Sequence, residues 1–490
     1  MSFVAESAVD LHFKSALELA ALTRARKIGC LELLDHHIER IERLDDLTNA
    51  VVVRDFERAR RRAFALDQTG GEAPIPLFGV PMTVKESFDV EGLPTTWGSE
   101  RFRNSVASAN ALAVDRLIEA GAVILGKTNV PVMLTDYQSY NPIYGTTNNP
   151  WDLALSPGGS SGGAAAALAA GFCALEVGSD IGSSIRNPAH YCGVFGHKPT
   201  WGICPPFGHG LGGAVAAADI SVIGPMARSA GDLMTTLDVM AGPEAIDAAW
   251  RLDLPPPRVA GFRGLRVAIM TDHPLSEVDT SIVSALHELG SFLVREGAIV
   301  SFEARPDFDL TLGHSLYIQM LRATTSTRID PAAAAKARHE AANLPGDDHS
   351  YYADAMRGLS MSHSAFLSAN ETRHRMRRVW SRFFSEWDLF LCPPAASPAQ
   401  KHDQRGERWQ RSIEVNGHAV PQTDQMFWAG IAGLYLLPSS VAPLGVASDG
   451  LPIGVQIMGA QYADKTTIAF AGLLEKGWRR FVAPPGRFSA

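Results

Sequence analysis

The chain has 490 residues, 46% hydrophobic and 20% charged, which predicts a soluble globular protein with an extended core. A formal net charge of −8 leaves no electrostatic footprint for nucleic acid, and the absence of any run of ~18 apolar residues predicts no membrane span. The five cysteines (Cys30, Cys173, Cys192, Cys204, Cys392) are scattered, odd in number and never in a C-x-x-C pair, which argues against a disulfide framework or structural zinc and for a reducing cytoplasm.

The opening MSFVAESAVDLHFK holds an acidic residue and no apolar core, so it is not read as a secretory leader. Ser15-Ala16-Leu17-Glu18 has the pattern of a capping box, opening a helix that Gly29 is expected to close. Leu34, Ile38 and Ile41 recur at helical spacing in a second helix to about Leu44, and a third, Arg-rich helix covers about 55–68. These make an N-terminal helical layer, about 12–68, with no chemistry of its own, in which the arginines of 58–62 read as a solvated face. After the turn-rich 70–76 an α/β core of about 75–242 begins, with a strand into Lys85 and a helix over about 110–120. Gly121 to Thr128 fits the phosphate-loop pattern G-x-x-x-x-G-K-[ST] letter for letter. That pattern needs a strand before the first glycine and a helix after the threonine. Here Ala122 to Leu125 are themselves the strand and Pro131 interrupts any following helix, so a nucleotide site is rejected.

The next stretch places two serine-glycine turns, Gly158-Gly159-Ser160-Ser161-Gly162-Gly163 and Gly182-Ser183-Ser184, around an alanine-rich helical run over 164–170 and a short apolar run. Glycines permit φ > 0 and close backbone approach, so this arrangement can bring two hydroxyls together. Ser229 can cap a helix to about Met240, and the Pro-rich 243–262 reads as a connection. A C-terminal α/β part over about 263–485 carries strands near 265–270, 298–302, 388–392, 437–441 and 453–457. Helices are expected over 279–295 and from Asp464, with a mainly helical region over 305–380, a solvated arginine face at 373–378 and an exposed polar loop over 400–420. The alternation of elements indicates the α/β class.

Lys85 in GVPMTVKES, Ser160 in SPGGSSGG and Ser184 in GSDIGSSIRNPA, followed by YCGVFGHKPT, together resemble the amidase signature family. LGKTNVP at 125–131, GTTNNPWD at 145–152 and GLPIGVQIMG at 450–459 extend the resemblance from about residue 15 to 480. It implies a single amidase domain over 1–490, with a large twisted mixed β-sheet covered by α-helices. It also implies no cofactor, no metal and a small-molecule amide as partner, and is compatible with a homo-oligomer.

Amide hydrolysis requires a nucleophile, a base, an acid for the leaving nitrogen and donors for the oxyanion. A serine hydroxyl is a weak nucleophile until a base sits beside it. No histidine is placed by motif near Ser184, and His190 and His197 read as core or loop residues. A lysine can replace histidine where burial disfavours its charged form. By the resemblance, Lys85 is the neutral base, Ser160 relays the proton from a cis peptide, and Ser184 forms an acyl-enzyme that water then hydrolyses. The backbone N–H groups of Ile181, Gly182, Ser183 and Ser184 would hold the oxyanion, Asp180 and Arg186 would brace the turn as an ion pair, and Ser161 would orient the relay. Ser183 stands where the family usually has glycine, and the register with Ile185-Arg186 keeps Ser184 as nucleophile.

Met133, Leu134 and Tyr137, with Phe207, Phe427, Trp428 and Tyr435, are candidate pocket residues and favour a hydrophobic acyl or aryl group. The expected activity is therefore hydrolysis of small, partly apolar amides, with aryl esters and carbamates as further substrates. Two other readings stand beside it. One is the glutaminase (A) subunit of a tRNA-dependent amidotransferase, which shares the motifs but needs partner chains, and which the 300–420 segment does not resemble. The other is a binding protein without catalysis, which the intact Lys85, Ser160 and Ser184 disfavour.

Overall fold

A computed structural model describes residues 11–69 and 75–489. Most of the opening stretch read for a leader, and most of the turn-rich 70–76, lie outside the described residues. Eleven strands form one mixed sheet: β1 (Val51–Arg54), β2 (Pro81–Lys85), β3 (Val123–Thr128), β4 (Leu175–Asp180), β5 (Phe195–Lys198), β6 (Val222–Ala227), β7 (Arg266–Ile269), β8 (Ile299–Ser301), β9 (Leu389–Cys392), β10 (Ser439–Val446) and β11 (Pro452–Met458). Their order is β1-β3-β2-β4-β6-β5-β10-β11-β9-β7-β8. The pairs β3–β2, β2–β4, β9–β7 and β7–β8 are parallel and the others antiparallel.

Helices accompany the sheet throughout: α1 (Ala16–Arg24), α2 (Cys30–Thr48), α3 (Phe56–Thr69), α4 (Leu112–Glu119), α5 (Gly162–Ala169), α6 (Arg186–Cys192) and α7 (Ala230–Met240) in the first half. The second half adds α8 (Thr280–Arg295), α9 (Leu310–Thr325), α10 (Pro331–Asn343), α11 (Tyr351–Leu359), α12 (His363–Glu386), α13 (Met426–Gly433) and α14 (Asp464–Gly477). The class is α/β, with a large mixed sheet covered by helices, as the sequence indicates.

The structure departs from the sequence-based expectations in several places. The Ser15 and Glu18 capping box opens α1 as expected, but α1 ends at Arg24, before Arg26 takes a left-handed φ of 53°, and Gly29 instead caps the start of α2. The N-terminal layer is not purely helical: β1 lies at the sheet edge beside β3. The 400–420 loop contains a hairpin, Ser412–Val415 paired with His418–Pro421, turned by Asn416 and Gly417 at φ 50° and 82°. Arg373 is buried and ion-paired to Asp219 at 2.8 Å, so its part of the expected solvated face is interior. The phosphate-loop look-alike is β3, with Lys127 buried and donating to the Thr95 hydroxyl at 3.0 Å and to the Pro94 carbonyl.

Candidate active site

Strands β2 and β4 are neighbours and parallel, so Lys85 at the end of one and Asp180 at the end of the other emerge at the same edge. Ligands in open α/β sheets bind at the carboxyl ends of such strands. Ser160 and Ser161 immediately precede α5, a wholly buried helix of Gly, Ala and one Leu that packs on β2, β3 and β4. Glycine is required in this approach: a Cβ on Gly158, at φ +86°, would lie 2.6 Å from Asn187 Oδ1. The Gly159–Ser160 peptide bond is cis.

Lys85 Nζ meets three hydroxyls: Ser160 Oγ at 2.7 Å, Ser161 Oγ at 2.9 Å and Ser179 Oγ at 3.0 Å. No carboxylate lies within ion-pair distance of it among the described residues. Burial pushes its ammonium down to about 7, against the pull of Asp180 and Glu176, which favour the cation. A neutral amine offers one lone pair and two N–H groups. Ser161 spends its own proton on the Ser179 carbonyl at 3.4 Å, so it acts as an acceptor toward Lys85. The lone pair is then open to Ser160, the nearest of the three. The Ser161 N–H donates to the Ser184 carbonyl at 3.0 Å, tying the two serine turns together.

The turn after β4 is organised by Asp180. Its carboxylate accepts the N–H groups of Ser183 (2.9 Å), Ile185 (3.1 Å) and Arg186 (3.3 Å) and pairs with the Arg186 guanidinium at 2.9 Å, both side chains fully buried. Burial alone raises the Asp180 carboxyl, but Arg186 overcomes it and holds the net pKa below the usual value. Arg186 also donates to the Ala429 carbonyl and to Gln456 Oε1. Because the Ser183 N–H is committed to Asp180, it leaves the expected donor set. The N–H groups of Ile181, Gly182 and Ser184 carry no internal acceptor among the described residues. The Tyr317 hydroxyl from α9 donates to the Ile181 carbonyl at 2.9 Å, which fixes the peptide plane that also carries the Gly182 N–H. Glycine makes room for this tyrosine, since a Cβ on Gly430 would lie 2.7 Å from its ring.

Ser160, Ser179 and Ser184 open onto one cavity of about 860 Å³, and Ser184 is 6% exposed. Met133 and Leu134 line it, along with Trp97, Phe102, Ile181 and Ile329. A second recess of about 40 Å³ adjoins Ser184 and Gly182 and is lined by Leu134, Tyr137, Arg322, Arg328 and Arg408. Four of the candidate pocket residues, Phe207, Phe427, Trp428 and Tyr435, line neither space. Trp428 and Tyr435 are core residues, the first beside Phe427 and the second packed against Phe308 and Trp380. Phe207 is 44% exposed and lies beside the lining residue Pro206 without lining the cavity itself. Phe427 stacks on His273 with ring centroids 4.0 Å apart.

His190 and His197 are buried and neutral: Gly454 N–H donates to His190 Nδ1, its Nε2 faces the Ser397 carbonyl, and His197 bridges Ser440 and Asp464. A histidine with no motif around it, His209, does line the main cavity. Burial pushes it down to about 3, and its Nε2 lies 3.0 Å from Ser87 Oγ. Ser179, Tyr317, Arg328 and His209 are thus site residues that the sequence reading missed.

The Amidase family profile matches residues 32–468. Human fatty-acid amide hydrolase 2 is 31% identical, over 97% of this chain and 90% of its own. The A subunit of the glutamyl-tRNA(Gln) amidotransferase of Anaeromyxobacter sp. (strain K) is also 31% identical, over 96% of this chain and 97% of its own. The crystal structure of a bacterial aryl acylamidase of the amidase signature enzymes superposes with a TM-score of 0.79 at 26% identity, covering 96% of this chain and 97% of the other. The chain is a member of the Amidase family of the amidase signature enzymes and an amide-cleaving hydrolase.

Proposed function

We propose that the protein hydrolyses small, partly apolar carboxamides through a Ser184 acyl-enzyme, with Ser160 and Lys85 as its proton relay. The observation that carries this reading is the contact of Lys85 Nζ with Ser160 Oγ at 2.7 Å, in a burial that brings the lysine near neutrality at pH 7. Lys85 as the free amine takes the Ser160 proton while Ser160 takes that of Ser184. Ser184 Oγ bonds to the carbonyl carbon, and the carbonyl oxygen becomes an oxyanion facing the N–H groups of Ile181, Gly182 and Ser184. One such donor contributes about 3 kcal/mol of transition-state stabilisation. As the C–N bond breaks, the proton held on Lys85 returns through Ser160 to the leaving nitrogen. Water then enters, gives a proton to the same relay and bonds to the acyl carbon; the Ser184 Oγ–C bond breaks, the proton returns through Ser160 to Ser184 Oγ, and the acid leaves.

The apolar wall of Trp97, Phe102, Met133 and Leu134 supports a substrate with an acyl or aryl group. Aryl esters and carbamates share the same tetrahedral geometry and are expected as lesser substrates. The whole chain is read as one catalytic unit, and five free, buried cysteines support a reducing, cytoplasmic setting. Among the described residues no helix is long and apolar enough to cross a membrane.

The test is a panel of anilides, primary amides, carbamates, nitrophenyl esters and glutamine, assayed from pH 6 to 10 with purified protein. Turnover of anilides in the absence of any partner supports the reading. Turnover of glutamine alone would replace it with the amidotransferase glutaminase, and turnover of no member would remove it.

A further inference from the structure

The small recess beside Ser184 is not the aromatic pocket that the sequence suggests. Three guanidinium groups line it, from Arg322 and Arg328 around the end of α9 and from Arg408. Arg328 lines both this recess and the main cavity. It stacks on the Trp97 ring at 5.0 Å, and no carboxylate of the described residues pairs with it; burial alone lowers its pKa. Arg322 donates to the Tyr351 hydroxyl, and its Nε is buried without a partner. The Arg408 cation also acts electrostatically on the same phenol. Burial by itself raises the Tyr351 pKa, yet the two cations hold it below its ordinary value. Asp136 is the one carboxylate lining the recess, and it is already engaged at 2.5 Å by a further cation, Arg411.

A cluster of cations with so little counter-charge, in a chain of net charge −8, is set up to receive an anion. Its 40 Å³ holds only a few water-sized groups, which suits the planar, two-oxygen carboxylate that a guanidinium binds in a fork. We propose that Arg328, supported by Arg322 and Arg408, binds a carboxylate of the substrate, so that the preferred substrates are amides with an anionic group close to the scissile bond. This rests on the amidohydrolase reading above and adds the substrate class to it.

The experiment compares three anilides of similar size: butyranilide, which is neutral, succinanilic acid, with a carboxylate on the acyl side, and 4-butyramidobenzoate, with one on the amine side. At least one anionic member should exceed butyranilide tenfold or more in kcat/KM. Arg328→Gln should shrink that ratio at least tenfold, and Arg328→Lys should restore part of it. In parallel, succinate or benzoate should slow labelling of the enzyme by a fluorophosphonate probe in wild type and not in Arg328→Gln. Equal turnover of the charged and neutral anilides, or a preference that survives Arg328→Gln, overturns the proposal while leaving the hydrolase reading intact. Turnover of none of the three counts against the hydrolase reading, and the protection of labelling then decides the anion site by itself.

Discussion

The Ser183 N–H donates to Asp180 Oδ1 at 2.9 Å while Ser183 itself sits at φ +72°, with its hydroxyl buried and unpartnered. A side chain in the left-handed region costs about 1–2 kcal/mol relative to glycine, and an unmatched buried hydroxyl adds to that. Ser183→Gly is therefore expected to raise stability by about 1 kcal/mol or more, partly offset by the larger entropy of the unfolded glycine chain. Amide turnover should stay within a few-fold of wild type, since the backbone N–H to Asp180 is kept. Urea unfolding beside a steady-state assay checks both, and a destabilised variant would show that the hydroxyl contributes to the turn.

In the proposed mechanism Lys85 must be neutral to accept the relay proton. Burial brings its folded pKa to about 7, well below the reference of about 10.4, so the fraction of active base grows as pH rises through about 7. The rate should fall about tenfold per unit on the acid side of that midpoint and level off above it. Lys85→Ala should abolish amide turnover at every pH. A limb centred near 10, or near-wild-type amide turnover in Lys85→Ala, would take Lys85 out of the mechanism.

Glu176 supplies part of the negative potential that favours the Lys85 cation, and burial raises its own carboxyl to about 7. Removing that charge with Glu176→Gln should move the acid limb to lower pH. The amide keeps an acceptor for the Thr128 hydroxyl but not for the Val177 N–H, at a cost of about 1–3 kcal/mol of stability. The pH–rate profile of the variant is the readout, and a limb displaced upward would reverse the assigned sign.

Arg186 and Asp180 are both fully buried, so removing one leaves the other's charge uncompensated. Arg186→Met is expected to destabilise the protein by about 3–5 kcal/mol, measured by denaturant unfolding. A loss under 1 kcal/mol would mean that the turn is held by its backbone bonds alone.

The cluster of Lys85, Ser160 and Ser184 is legible because its residues lie in short, contiguous glycine- and serine-rich motifs, two of which border the ends of strands β2 and β4, whose parallel pairing brings them to one edge. The cavity wall is not. Arg328 and His209 sit in segments without periodicity or motif, and only the tertiary fold brings the end of α9 and the 206–218 segment to the wall of the cavity that Ser160 and Ser184 also line. Trp428 and Tyr435 misled because an aromatic residue suits a core as well as a cavity. The commitment of the Ser183 N–H to Asp180 depends on backbone direction, which residue types do not reveal. The hairpin at 412–421 could have been read from Asn416-Gly417, whose left-handed pair is the usual two-residue turn, and Gly29 from the Glu at Glu32 that completes a helix start after it.

In the proposed mechanism Ser184 forms the covalent bond, with Ser160 as relay. Reaction with a fluorophosphonate probe, digestion and mass spectrometry of the peptide spanning 178–198 test it most directly. The adduct is predicted on Ser184, abolished in Ser184→Ala, formed slowly in Ser160→Ala and little changed in Ser183→Ala. An adduct on Ser183, or undiminished labelling of Ser184→Ala, would rule out Ser184 as the nucleophile.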